Sequence, residues 1–135
     1  MIILPYRKGA RPENLTVVMQ DADTAIHSGS MTLTLTGHGF FCENGARKNL
    51  TSFDNESVAA FGIKFSGGPA EARMTATNGT FVICGASGTR ALELPEGWSL
   101  RQPDKRRDVT VRQSGRVYQV DVTGKDPVEL ALERK

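Results

Sequence analysis

The stretch RDVTVRQSGRVYQVDV, Arg107 to Val122, decides how this chain is read. Apolar and polar residues alternate on both sides of Ser114-Gly115, and a period of two marks strands with one buried face. A two-residue turn at Ser114-Gly115 pairs Val111 with Tyr118 and Val109 with Val120, so these four share an apolar face. Thr110, Arg112, Val117, Gln119 and Asp121 take the opposite face. The segment reads as an antiparallel hairpin laid over a core.

ARMTATNGTFVICG, Ala72 to Gly85, reads in the same way. Asn78-Gly79 is the favoured pair for a type I′ turn, which needs positive φ at both central residues. That turn sets Met74 opposite Ile83 and Ala76 opposite Phe81, with Arg73 opposite Cys84 and Cys84 outside the core. In SMTLTLTGHGFF, Met31, Leu33 and Leu35 alternate with threonines, which suit the solvated face of a strand running to about Thr36. RALEL and the closing PVELALE add strands, Val128, Leu130 and Leu132 sharing one face. PENLTVVMQDADTAIHSG, residues 12–29, has helical spacing at Leu15, Val18, Met19, Ala22, Ala25 and Ile26, with Pro12 at its start and Gly29 past its end. In FDNESVAAFGIKF, Asp54 could cap a helix burying Val58, Phe61 and Phe65, while strand alternation buries Ala59, Phe61, Ile63 and Phe65 equally well. The expected fold is mainly β, an antiparallel β-sandwich or small barrel of seven to nine strands with one or two short helices.

The length of 135 residues suits one domain, and 39% hydrophobic with 24% charged residues is a globular balance. Residues 1–11 form an extended arm ahead of a single β-rich domain, 12–135. The net charge of +2 excludes a strong overall field toward nucleic acid or membrane. No apolar run approaches the roughly 18 residues of a membrane span, and MIILP is too short for the core of an export signal. A soluble protein, cytoplasmic or part of an assembled particle, is expected, with its two cysteines reduced. Asn14, Asn49, Asn55 and Asn78 open N-x-S/T triplets, which in an exported protein would be glycan acceptors. Here they read as turn and strand-start residues.

Candidate sites begin with TGHGFFCEN, Thr36 to Asn44. On an unbroken strand His38 and Cys42 would stand about 13 Å apart, too far for one metal ion. The glycines at 37 and 39 suggest a bend that turns Phe40 or Phe41 into the core. With His27 and Cys84 the chain has four soft ligands, yet no close pair has zinc spacing. A cysteine nucleophile needs a base with an orienting partner, and neither histidine has one that the sequence reveals. Asp21 and Asp23 would diverge by about 200° on a helix and read as a solvated face. FSGGPAE and CGASGTR complete no phosphate-binding signature. No metal or other cofactor is expected.

Two charged or apolar segments remain. Lys105, Arg106 and Arg107 lie in a loop that could hold phosphates. The arm carries Ile2, Ile3, Leu4 and Tyr6 with prolines that prevent a regular strand, so it packs on its own domain or along a neighbour. The expected function is non-enzymatic: binding or assembly with a protein partner or a second copy, as in a subunit of a virus- or phage-like particle. The alternatives are a polyanion-binding or nucleic-acid-binding accessory module using Lys105, Arg106 and Arg107, and a small hydrolase using a cysteine with His38.

Overall fold

A computed structural model describes residues 16–20, 23–84, 87–103 and 108–135, with residues 16–20 described as backbone. The described chain is all strand and connection, and the strands form two antiparallel sheets. The first half supplies β1 (Thr16–Gln20), β2 (Asp23–Ser28), β3 (Met31–Leu35), β4 (Gly39–Asn44), β5 (Arg47–Ser52), β6 (Val58–Ala60) and β7 (Ile63–Ser66). The second supplies β8 (Ala70–Met74), β9 (Asn78–Ile83), β10 (Gly88–Glu93), β11 (Trp98–Leu100), β12 (Val109–Ser114), β13 (Val117–Val122) and β14 (Val128–Arg134). The larger sheet runs β1-β2-β3-β4-β5-β8-β9-β14-β11, and the smaller runs β12-β13-β10-β7-β6. The mainly β sandwich expectation holds. Fourteen strands among the described residues exceed the seven to nine expected, because short hairpins replace the segments left as helix.

The expected helix over 12–29 is the main correction. Its described part is the hairpin of β1 and β2, and Gly29, at φ 57, turns the chain from β2 into β3. Val17, Val18, Thr24 and Ile26 are β-branched, and ladder pairing of β1 with β2 and of β2 with β3 outweighs the helical spacing. The ambiguous segment from Phe53 to Phe65 is also a hairpin, with Ala60 opposite Ile63 and Phe61-Gly62 as its turn. The turn resets the alternation, so Val58, Ile63 and Phe65 are buried while Ala59 is exposed and Phe61 half-buried, a mixture of the two sets read from the sequence. Phe61 has φ 57 and Gly62 φ 79, the type I′ geometry. A left-handed Phe costs about 1–2 kcal/mol, which its packing must offset.

Both hairpins read from sequence exist, each with a shifted register. In the β12–β13 pair Val111 faces Val120 and Val109 faces Val122, because the turn is Gly115-Arg116, with Gly115 at φ 61. In the β8–β9 pair Ala72 faces Phe81 and Ala70 faces Ile83, because Thr75 closes a longer turn by bonding Asn78. Thr75 Oγ1 also accepts the amides of Thr77 and Asn78, which removes Asn78-Gly79 from the turn centre. Both shifts are even, so the residues that remain in the strands keep their faces, while Ala76, expected opposite Phe81, falls in the longer turn and is exposed.

The core lies between the sheets. One row crosses the larger sheet through Phe41, Leu50, Ala72, Phe81 and Leu130. It meets Val58, Phe65, Leu92, Tyr118 and Val120 from the smaller sheet in one continuous cluster. Arg90 stands in that layer beside Val120, 1% exposed, and Gly68 leaves room for it. A Cβ at Gly68 would come 2.6 Å from the guanidinium carbon, which explains one glycine of FSGGPAE without a ligand.

Phe81 is fully buried and spans both layers. Phe81→Ala is expected to cost about 3–5 kcal/mol in urea unfolding at unchanged m-value. Thr110→Ala, on the exposed face of β12, should stay within about 0.5 kcal/mol of the parent.

Candidate functional site

The GHG stretch is a hairpin turn between β3 and β4. Thr36 Oγ1 accepts the amides of His38 at 3.3 Å and Gly39 at 3.1 Å, so the turn is tied by its own first side chain. Gly39 follows where β4 and β5 approach most closely, and a Cβ there would overlap the Thr51 carbonyl oxygen. The turn leaves Phe41 packed on the core and Phe40 against Phe53, with ring centroids 5.7 Å apart and the planes tilted by 45°. The expected bend and the inward Phe41 are both present.

The turn also presents His38 to a partner sixteen residues away. His38 Nδ1 lies 2.8 Å from Asp54 Oδ2, and the His38 carbonyl accepts the Phe53 amide at 2.9 Å. Asp54 is held in turn, because its Oδ1 accepts the Glu56 amide and its carbonyl accepts from Ser52 Oγ. Asp54 raises the pKa of His38 above the ordinary histidine value, chiefly through this hydrogen bond. His38 and the Glu56 amide hold the Asp54 carboxyl below the usual range. His38 borders a cavity of about 330 Å³ between the β3–β4 turn and β6, with Asp23, Thr36, Phe41, Ser57 and Val58 on its walls.

Asp54 is the functional candidate that the sequence reading missed, having been read as a helix cap. It supplies the orienting carboxylate that a histidine base requires, and among the described residues no Cys or Ser side chain hydrogen-bonds His38. Cys42 shares a ladder row with Leu33 and Asn49 on the sheet face opposite Phe41 and Leu50, and burial pushes its thiol up in pKa. Ser57 lines the cavity without a hydrogen bond to His38 among the described residues. Cys84 is exposed beyond β9, and Arg73 stands opposite Thr80 with a bidentate bond to Glu71. The expected Arg73–Cys84 pairing is corrected by the register shift.

No protein-family model matches the chain, and the searches of curated proteins and solved structures return no match. The site therefore has to be read from its own chemistry.

His27 bonds Thr32 across β2 and β3, remote in sequence from the His38 turn, and no described group of three or more acidic, His or Cys side chains is placed to hold a metal ion. Asp21, the arm residues Ile2, Ile3, Leu4 and Tyr6, and the cations Lys105, Arg106 and Arg107 lie outside the described residues. No helix among the described residues is long and apolar enough to cross a membrane. Asn49 sits within β5 and donates to Glu71 at 2.6 Å, and Asn78 opens β9, so these triplet asparagines serve the sheet.

The alternation of β3 carries a larger surprise. Ladder partners place Ile26, Leu33 and Cys42 in one row and Leu35 and Phe40 in another, on the side of the sheet that bears Asn49, Arg73, Thr51 and Glu71. Thr32 and Thr34 take the core side. The threonines of β3 are thus on the inner side and its Met and Leu residues on the outer one, the reverse of the sequence expectation. Ile26 is 2% exposed yet stands outside the core cluster, while Met31, Leu33, Leu35, Phe40 and Cys42 are partly exposed.

The His38–Asp54 pair predicts two pH limits. The raised folded pKa of His38 gives stability that is complete below its unfolded value of about 6.5 and disappears as pH rises through the folded value. The lowered pKa of Asp54 gives stability present above its unfolded value, which disappears as pH falls through the folded one. In Asp54→Asn, the His38 midpoint followed by NMR should move down toward the ordinary value, and the alkaline loss should vanish. Gly39→Ala should cost at least about 2 kcal/mol in urea unfolding, because backbone must move to admit the methyl group.

Proposed function

We propose that this protein is a non-catalytic binding and assembly subunit that associates with a second copy of itself through the outer face of β2, β3 and β4. The observation that carries this reading is the inversion just described: an apolar patch of Met31, Leu33, Leu35, Phe40 and Cys42 directed away from the core. Apolar surface of this kind gains free energy when removed from water, at about 25 cal/mol per Å². None of these side chains carries a charge at neutral pH, so a twofold contact of the patch with its own copy buries no unpaired ion. The patch is continuous with β1, the edge strand of this sheet among the described residues, and an edge strand can offer backbone groups to a neighbour. In this reading the arm residues Ile2, Ile3, Leu4 and Tyr6 add further apolar contact to the neighbouring copy.

A polyanion does not suit such a surface. The hydrolase reading has less support, since among the described residues His38 bonds Asp54 and Cys42 stands in the Leu33–Asn49 row without a hydrogen bond to His38.

Mass in solution tests the proposal. The full chain is expected to form dimers or larger species by light scattering at micromolar concentration, with Leu33→Asp monomeric and still folded by circular dichroism. Removal of residues 1–11 should weaken association without loss of β signal. A strictly monomeric parent chain, or a Leu33→Asp variant that associates as the parent does, would overturn it.

A further inference from the structure

A second cavity, of about 390 Å³, opens at the other end of the strands from the His38 turn and lies beside the strained β6–β7 turn. Its apolar walls are Phe61, Pro95 and Trp98, and its charged groups are Glu43, Lys48 and Arg134. The volume falls in the range of small-ligand sites, and the mixture of ring faces with a few charges is the usual composition of one.

Phe61 is held in this wall against its backbone preference. The turn geometry suits Asn-Gly best, yet a Phe occupies the first left-handed position. Its ring meets Phe41 edge to face at 5.8 Å and lies 5.4 Å from Lys48 Nζ. Strained residues concentrate at ligand sites, and here the strain keeps an aromatic face on a cavity wall.

The charges narrow the ligand. Lys48 stands opposite Glu43 in the β4–β5 ladder but makes no ion pair with it. Arg134 donates one Nη1 bond to the Ala76 carbonyl at 3.3 Å and also makes no ion pair. Among the described residues two cations therefore lack a carboxylate partner, while the Glu43 carboxylate accepts hydrogen bonds. A neutral ring would leave both cations unanswered, and an inorganic anion would leave the aromatic walls unanswered.

We infer that this cavity binds an acidic sugar residue, such as a uronate unit of a glycan. The C–H face of the sugar ring packs on Trp98 and Phe61, its carboxylate is met by Lys48 and Arg134, and its hydroxyls donate to Glu43. The inference is independent of self-association, which uses the outer face of the sheet.

Trp98 is the only tryptophan of the chain, so intrinsic fluorescence reports on this cavity directly. Titration of the full chain with a glucuronate-containing oligosaccharide is expected to give a saturable fluorescence change, absent with maltotetraose and with sodium sulfate. Lys48→Gln should weaken binding at least tenfold by calorimetry. Phe61→Asn should keep or raise the melting temperature, since it suits the turn, while binding falls at least tenfold; this separates the site from the fold. Leu33→Asp, which tests association, should leave the sugar titration unchanged. No saturable change with the acidic sugar, an equal response to maltotetraose, or full binding by Phe61→Asn would overturn the inference.

Discussion

Phe65 and Phe81 meet edge to face at 5.3 Å, one from each sheet, and this contact fixes how the two layers face each other. Each ring stands in a row set by ladder pairing. Phe81 is flanked by Ala72 and Leu130, and Phe65 by Val58 and Leu92. Once these rows oppose one another, strand alternation decides the direction of every neighbouring side chain. The small Ala70 and Ala72 beside the rings leave the room that two aromatics need, and both are 1% exposed. Arg90 enters the same layer because Gly67 and Gly68 bring the chain in close beside β10. Its burial disfavours the charged form and lowers its pKa.

The two sheets differ in width, and much of the surface follows from that mismatch. A five-stranded sheet cannot cover a nine-stranded one, so the β1–β4 end of the larger sheet extends past the shared core. Along the same ladder row the inner face changes from Leu50 and Phe41 to Thr34 and Ala25. The apolar residues of the overhang move to the outer side, where Asn49 and Arg73 continue their row. β3 alternates cleanly with its apolar side outward, and the change of side occurs at β4, where Phe41 faces the core and Phe40 and Cys42 face outward.

The ends of the sandwich are finished differently. At one end the Thr36–His38 turn is tied to the β5–β6 connection through Asp54, Phe53 and Ser52. At the other, Phe61 of the smaller sheet reaches Phe41 and Lys48 of the larger. Both devices join the two sheets beyond the core, and both leave a cavity beside them. His38 and Phe61 are each placed by a turn instead of a strand, so local turn chemistry governs their position more than burial does.

Residue alternation by itself determined that the chain is mainly β, a sandwich or small barrel, and which residues share a face in β12, β13, β8, β9 and β14, because a period of two survives any even shift in register. It also marked Gly37 to Gly39 as a bend and Cys84 as an outside residue. Only the tertiary structure decided the registers, since side-chain bonds such as those of Thr75 relocate a turn that Asn78-Gly79 would otherwise take. It also made strands of the described part of 12–29, where helical spacing and β-branched residues compete and the pairing of β1 with β2 and of β2 with β3 settles the outcome. The side to which an apolar stripe points was likewise beyond the sequence: Met31, Leu33 and Leu35 alternate correctly, but facing inward or outward depends on whether a second sheet lies opposite. The pairing of His38 with Asp54 is of the same kind, a contact between two turns that neither turn's residues specify alone.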